Sequence, residues 1–220
     1  MKELQGFSGT KPSDFVKNMH AFNLFRTSVP DKSSNVLDVG CAGGIFLNQL
    51  QQDGYQHLSG SDIFDYQAPG IKGVEVKMCD FCLEKLPWPD NYFDVITAWE
   101  VMEHLENPNF FIREAHRVLK PNGLFFVSMP NVFHMMSKLM FVRRGDFPRW
   151  TKTNGHINVF SNNIFKKAFL HLFNLENRGY ALAQLSQGMR GPIFDRIKFL
   201  DKWLPDTQAF SRFVVYTLRK

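Results

Sequence analysis

Apolar positions along this chain alternate between two rhythms, a helical stripe and a short continuous run. Phe15, Met19, Phe22 and Phe25 share one stripe, so the spacing predicts an amphipathic helix over Phe15 to Ser28, stopped by Pro30. A short apolar strand, Asn35 to Val39, then runs straight into Gly40-Cys41-Ala42-Gly43-Gly44, and a helix over Ile45 to Gln52 ends at Gly54. Further strands are predicted over His57–Ser61, Val74–Cys79, Phe93–Ala98 and Leu124–Met129. The last two flank a helix over Phe110–Leu119, closed by Pro121-Asn122-Gly123. Strands that alternate with helices mean βαβ units and a parallel sheet, and right-handed crossovers place helices on both of its faces.

Past Pro130 the pattern loosens. Val132 to Arg144 reads as a helix with an unusually apolar face, followed by a polar loop to Asn158. Then come a helix over Asn162–Phe173, a strand over Leu175–Ala183, a helix over Ile193–Leu204 and a final strand over Phe213–Leu218. Residues 131–160 are longer than a strand-to-helix connection needs, which makes them the expected seat of specificity.

Composition changes this picture little. With 220 residues and 44% apolar positions, the chain is long enough for one domain with a full core. No run of eighteen apolar residues occurs, so no membrane span is expected. The first ten residues lack the apolar stretch of a signal peptide, and a cytoplasmic protein is the expectation. The net charge of +5 is mild, and Arg143, Arg144, Arg149 and Lys152 cluster without forming a run, so nucleic acid is not the expected partner. Cys79 and Cys82 have the spacing of a redox or zinc motif, but with Cys41 they make only three, and no second pair stands nearby. They are read as space-filling, and no metal site is expected.

The chemistry concentrates where strands end. The glycines after Val39 let a ligand approach the backbone, and the helix that follows offers free N–H groups. Asp62 closes the second strand about twenty residues later, where a carboxylate can accept hydrogen bonds from both ribose hydroxyls. His104, in E-V-M-E-H-L shortly after the fourth strand, is the candidate general base, because imidazole is matched to proton removal near neutral pH. His156, in N-G-H-I-N-V-F, is a second candidate.

Five ordered stretches carry a family resemblance: V-L-D-V-G-C-A-G-G (36–44), M-C-D-F (78–81), L-P-W-P-D-N-Y-F-D-V-I (86–96), E-V-M-E-H-L (100–105) and R-V-L-K-P-N-G (117–123). Together they resemble the class I S-adenosylmethionine-dependent methyltransferases over residues 35–130, and more weakly elsewhere. The resemblance implies a Rossmann-like three-layer α/β sandwich, with a mostly parallel seven-stranded sheet and a final antiparallel strand. It implies one domain: a helical cap (1–34), a cofactor-binding core (35–130), an acceptor-side lid (131–160) and a C-terminal completion of the sheet (161–220).

Carried over by position, Asp38, Gly40, Cys41, Ala42 and Gly44 would face the methionine part of S-adenosylmethionine, and Asp62 its ribose. Ile63 would pack on adenine, Asp80 would accept from the adenine amino group with Phe81 beside it, and Ala98 and Trp99 would border the reactive methyl. Ala42 stands where the family usually has glycine, and Trp99 is bulkier than the common residue. The implied reaction is methyl transfer to a small-molecule or sugar-like acceptor, with oxygen as the favoured atom and S-adenosylhomocysteine as product. Two rivals stay open: a binding module for the same cofactor without catalysis, and an NAD(P)-dependent oxidoreductase using the same turn and acidic residue. Oligomeric state is not legible.

Overall fold

The computed structural model describes residue 16 and residues 19–64, 73–184, 201 and 203–220. In chain order the elements are α1 (His20–Ser28), β1 (Asn35–Val39), α2 (Ile45–Gln52), β2 (His57–Asp62), β3 (Glu75–Met78) and β4 (Phe93–Trp99). A 3-10 turn (Met102–His104) precedes α3 (Pro108–Val118), β5 (Leu119–Pro130), α4 (Met135–Arg144), α5 (Asn162–Phe169), β6 (Asn174–Ala183) and β7 (Ser211–Arg219).

Seven strands form one sheet in the order β3-β2-β1-β4-β5-β7-β6. Pairs β1/β2, β1/β4, β2/β3 and β4/β5 are parallel, whereas β7 runs antiparallel to both β5 and β6. The expected mostly parallel sheet with an antiparallel last strand is therefore present. Strand order reverses between β1 and β4, and in open α/β sheets a ligand crevice forms outside the carboxyl ends of the strands at such a switch point.

Successive strand residues point to opposite faces. Leu37, Val39 and Phe125 join Phe111 and Phe169 in one buried cluster, while Val36 and Phe126 join Phe25, Phe46 and Leu47 in the other. The neighbours Phe125 and Phe126, both fully buried, thus anchor the two layers of helices from a single strand.

Several boundaries differ from those the pattern predicts, each for a local reason. Helix α3 starts at Pro108, because the Asn107 side chain accepts from the Phe110 N–H and proline suits the first turn. It ends at Val118, and Pro121-Asn122-Gly123 lies inside β5 rather than closing the helix. Helix α4 starts at Met135 rather than Val132, since Asn131 Oδ1 accepts from Phe133 N and His134 Nδ1 from Met136 N, both at 3.0 Å. The apolar face read on this helix is real, but it is turned to solvent. Helix α5 stops at Phe169, four residues short of the predicted end. Phe15 and nearly all of the helix expected over Ile193–Leu204 lie outside the described residues. Among the described residues no helix is long and apolar enough to cross a membrane.

Candidate functional site

The glycine turn, Asp62 and the E-V-M-E-H-L segment all leave the sheet at one edge. Val39 at the end of β1 is in register with Ser61 of β2 on one side and Ala98 of β4 on the other. The turn after β1 needs left-handed backbone at Gly40 (φ 71°), Ala42 (φ 45°) and Gly44 (φ 71°), which costs glycine little and alanine more. Gly40 also lies so close to the chain after β4 that a Cβ there would come within 2.5 Å of Val101 Cγ2. Strain is thus concentrated where the two motifs meet.

Asp62 is tied to that turn. Its Oδ2 accepts from the Ala42 N–H at 2.9 Å and its Oδ1 from Phe64 N at 3.3 Å. Burial pushes its pKa up, and these backbone N–H groups offset part of the shift. Asp38 is buried one layer deeper, accepts from Thr97 Oγ1 at 2.6 Å, and is pushed up to about 7 by desolvation. At and just past the strand ends stand Ile63 (42% exposed), Phe64 (44%) and Met78 (62%), apolar side chains left open to solvent. Nothing lies within 4 Å of where a Gly43 Cβ would sit. A fixed carboxylate, an open glycine turn and uncovered apolar side chains fit a nucleoside whose ribose meets Asp62 and whose base lies on Ile63.

The other residues carried over from the resemblance lie in the core below this edge and in the turn after β3. Phe81 is buried in the core against Phe111, with ring centroids 5.8 Å apart. Trp99 is a core indole between Phe46 (5.5 Å) and Phe126 (6.1 Å), and Ala98 is fully buried beneath the edge. Cys41 is buried and its thiol is raised by desolvation, so it is an unreactive filler. Asp80 Oδ1 accepts from Cys82 N at 2.9 Å, which shapes the turn after β3.

On the other side of the crevice, residues 149–158 are laced to residues 100–105. Ile157 N and Asn158 N donate to the Glu103 carbonyl (2.8 and 3.0 Å), and the Asn158 side chain donates to the Leu105 carbonyl. Arg149 Nη2 donates to Glu100 Oε2 at 2.8 Å, and that carboxylate is nearly fully buried. Glu100 itself sits at φ 58°, a non-glycine residue held in the left-handed region.

This lacing brings His156 against His104, ring centroids 4.6 Å apart and nearly perpendicular, so both histidines singled out from sequence belong to one cluster. Desolvation lowers His104, and it lowers His156 to about 3, helped by His104 and by the Arg149 charge. Both rings are therefore neutral at pH 7, the form that accepts a proton. Burial and the nearby Glu100 carboxylate push Glu103 well up. With Arg149 favouring charge on Glu100, Glu103 is the carboxyl that keeps its proton.

Sequence reasoning missed Glu100, Glu103 and Arg149. The E-x-x-E-H spacing carried half of the signal, since it groups Glu100, Glu103 and His104 around one turn. Nothing in it announced Arg149. The expectation of no metal-ligand set also changes: Glu103, His104 and His156 offer donor atoms all within 4.8 Å of one another, a grouping able to hold a divalent cation.

A carboxylate fixed to a glycine turn at the switch point, with two half-buried, neutral histidines following the neighbouring strand, suits a nucleoside-cofactor enzyme of the Rossmann-like class. Residues 14–179 match the methyltransferase domain family, and the chain belongs to it. Members of this class use S-adenosylmethionine.

The chain is 33% identical over 134 residues to a ubiquinone biosynthesis O-methyltransferase of Pseudomonas syringae pv. tomato, covering 55% of this chain and 56% of the relative. Its counterpart from Neisseria meningitidis is 28% identical over 128 residues (52% and 54%). The chain thus spans about half the length of the curated relatives it matches. Among solved structures, an S-adenosylmethionine-dependent methyltransferase from Mesorhizobium loti superposes with TM-score 0.64 at 16% identity, over 93% of this chain and 100% of the other. The cyclase SpnF gives 0.66 at 20% identity, over 96% and 83%. These likenesses show the fold, and SpnF shows that the fold alone does not name the reaction.

Proposed function

We propose that this chain transfers a methyl group from S-adenosylmethionine to a hydroxyl of a small-molecule acceptor, with His104 taking the hydroxyl proton. The observation that carries this reading is the pairing of neutral His104 and His156 beside the strand end that faces Asp62 and the glycine turn. When bound, the cofactor supplies a methyl already activated on a sulfonium, so the protein's part is orientation, water exclusion and proton removal. Asp62 and the turn at Gly40 would hold ribose and the methionine arm, and Ile63 the adenine. As the acceptor oxygen bonds to the methyl carbon, its proton passes to the His104 imidazole. His156 is the wall against which that ring is held. Curated relatives named for O-methylation support oxygen as the accepting atom.

Family membership weighs against the oxidoreductase alternative. A binding module without catalysis would have no need of a half-buried, neutral histidine pair. Residues 131–160 serve as the cover of the acceptor side, supported by their lacing to Glu103 and Leu105. Three free cysteines support a reducing, cytoplasmic setting.

The test is production of S-adenosylhomocysteine on a panel of phenol, catechol and sugar acceptors, with and without EDTA. Turnover on a hydroxyl that EDTA leaves intact is expected. Turnover confined to amines would overturn the oxygen assignment. Loss of turnover in EDTA, restored by one divalent cation, would assign Glu103, His104 and His156 to that cation instead of to proton removal.

A further inference from the structure

Helix α4 half-buries Met136 and Met140 but also shows large apolar side chains to water. A surface helix ordinarily lays its apolar stripe on the core and shows polar residues to water. Here Met135, Leu139 and Val142, at i, i+4 and i+7, are 42%, 56% and 86% exposed, and Phe141, on another face of the helix, is 50% exposed. The one buried side chain of the helix is Ser137. Leaving three or four large apolar groups in water is costly unless something covers them.

The polar residues of the same helix have one sign. Lys138, Arg143 and Arg144 are exposed, the helix contains no acid, and among the described residues none of the three is in a salt bridge. The helix is also firmly held: His134 caps its first turn while its other ring nitrogen meets the Gln184 carbonyl at 2.7 Å. From its exposed face a chain of rings leads inward. Phe141 stacks on Phe147 (4.9 Å), Phe147 meets Trp150 (5.6 Å), Trp150 meets His156 (5.3 Å), and His156 meets His104 (4.6 Å).

We propose that α4 is an interfacial helix that seats this protein on an anionic lipid bilayer. The apolar stripe enters the boundary between headgroups and acyl chains, while Lys138, Arg143 and Arg144 meet the phosphates. A second copy is the weaker occupant, because a two-fold contact through this face sets the same cations against one another. The ring chain gives the docking a purpose: an acceptor held in the bilayer reaches His104 along aromatic surface without crossing water. That last clause rests on the proposed function, whereas lipid binding does not.

The experiment is co-sedimentation of the full chain with phosphatidylglycerol-rich vesicles and with pure phosphatidylcholine vesicles. Binding to the anionic vesicles alone is expected, weakening with salt. Both Leu139→Glu/Val142→Glu and Arg143→Glu/Arg144→Glu should reduce it on the order of tenfold or more. Each variant should keep the parent affinity for S-adenosylhomocysteine, which shows that it is folded. Equal partition of parent and variants, or no binding to anionic vesicles, overturns the proposal. A parent dimer in sedimentation velocity that both variants dissolve overturns it in favour of a second copy. Lipid binding that survives while His104→Ala keeps full turnover upholds the docking and removes only the route to His104.

Discussion

The two sides of the crevice are built by opposite means. Around the glycine turn, backbone does the work: strand ends, a left-handed turn and one carboxylate fixed by the N–H of Ala42, all within residues 38–64. Around residues 100–105 and 149–158, side chains do the work, and they come from far apart. Glu100 meets Arg149 and His104 meets His156, each across about fifty residues of chain. A site made of backbone tolerates many side chains, so a whole fold class can share it. In a cluster made of charged and aromatic side chains from distant segments, each member depends on the others.

That contrast predicts different failures on the two sides. The largest effect is expected at His104. His104→Ala should lower kcat by roughly 10²–10⁴, the range for a lost general base, while leaving the affinity for S-adenosylhomocysteine intact. The kcat–pH profile should also lose its acid limb, which in the parent lies below the ordinary imidazole value because desolvation lowers His104. Retained turnover per folded molecule would make the histidine pair structural.

Next comes Arg149→Met, which strands the buried Glu100 carboxylate without its partner. Unfolding in urea should show a loss of about 3 kcal/mol, and the double variant with Glu100→Gln should recover most of it. A loss under about 0.5 kcal/mol would show that the pair does not hold the two segments together.

On the cofactor side, Asp62→Ala should weaken S-adenosylhomocysteine binding by about 2–3 kcal/mol, or some 30- to 150-fold, with little change in the melting temperature. Calorimetry giving an unchanged Kd would remove Asp62 from the ribose.

The smallest effect is the pH response of stability. His156 titrates at about 3 folded and near 6.5 unfolded, so only the unfolded chain binds its proton between these values. Its contribution to stability is therefore lost as pH falls through that window. Asp38 works in the opposite sense. It is raised to about 7 from 3.8, so the folded state takes up its proton first and gains stability as pH falls from about 7. Comparing the parent with His156→Gln isolates the histidine: the parent should lose on the order of 1–2 kcal/mol more between pH 7 and pH 5. Parallel stability curves for the two proteins would contradict the burial of His156.

How far each side could be read ahead of the structure follows from the same contrast. Every strand and the glycine turn showed in the local pattern, since a buried strand or a tight turn is specified by the residues within it. The position of Asp62 at the turn was legible because it ends the second strand a fixed distance past the glycines. Phe81 and Trp99 were named by position, but their packing against Phe111 and Phe46 depends on residues elsewhere in the chain and was not legible. Glu103 was visible as a letter in E-V-M-E-H-L. Its burial, and with it the proton it retains, depends on Ile157 and Asn158 folding over it.

The sequence by itself determined the order of elements, the parallel sheet with its antiparallel last strand, and the backbone-built half of the crevice. These rest on interactions between residues close in the chain or one βαβ unit apart. Tertiary structure alone decided that Arg149 neutralises Glu100, that His156 walls His104, and that the apolar stripe of α4 faces outward. The pattern showed that α4 has an apolar face but carried no sign of direction. A helix stripe names a surface to be covered, and only the packing of the rest of the molecule determines whether the cover is its own core or something outside it.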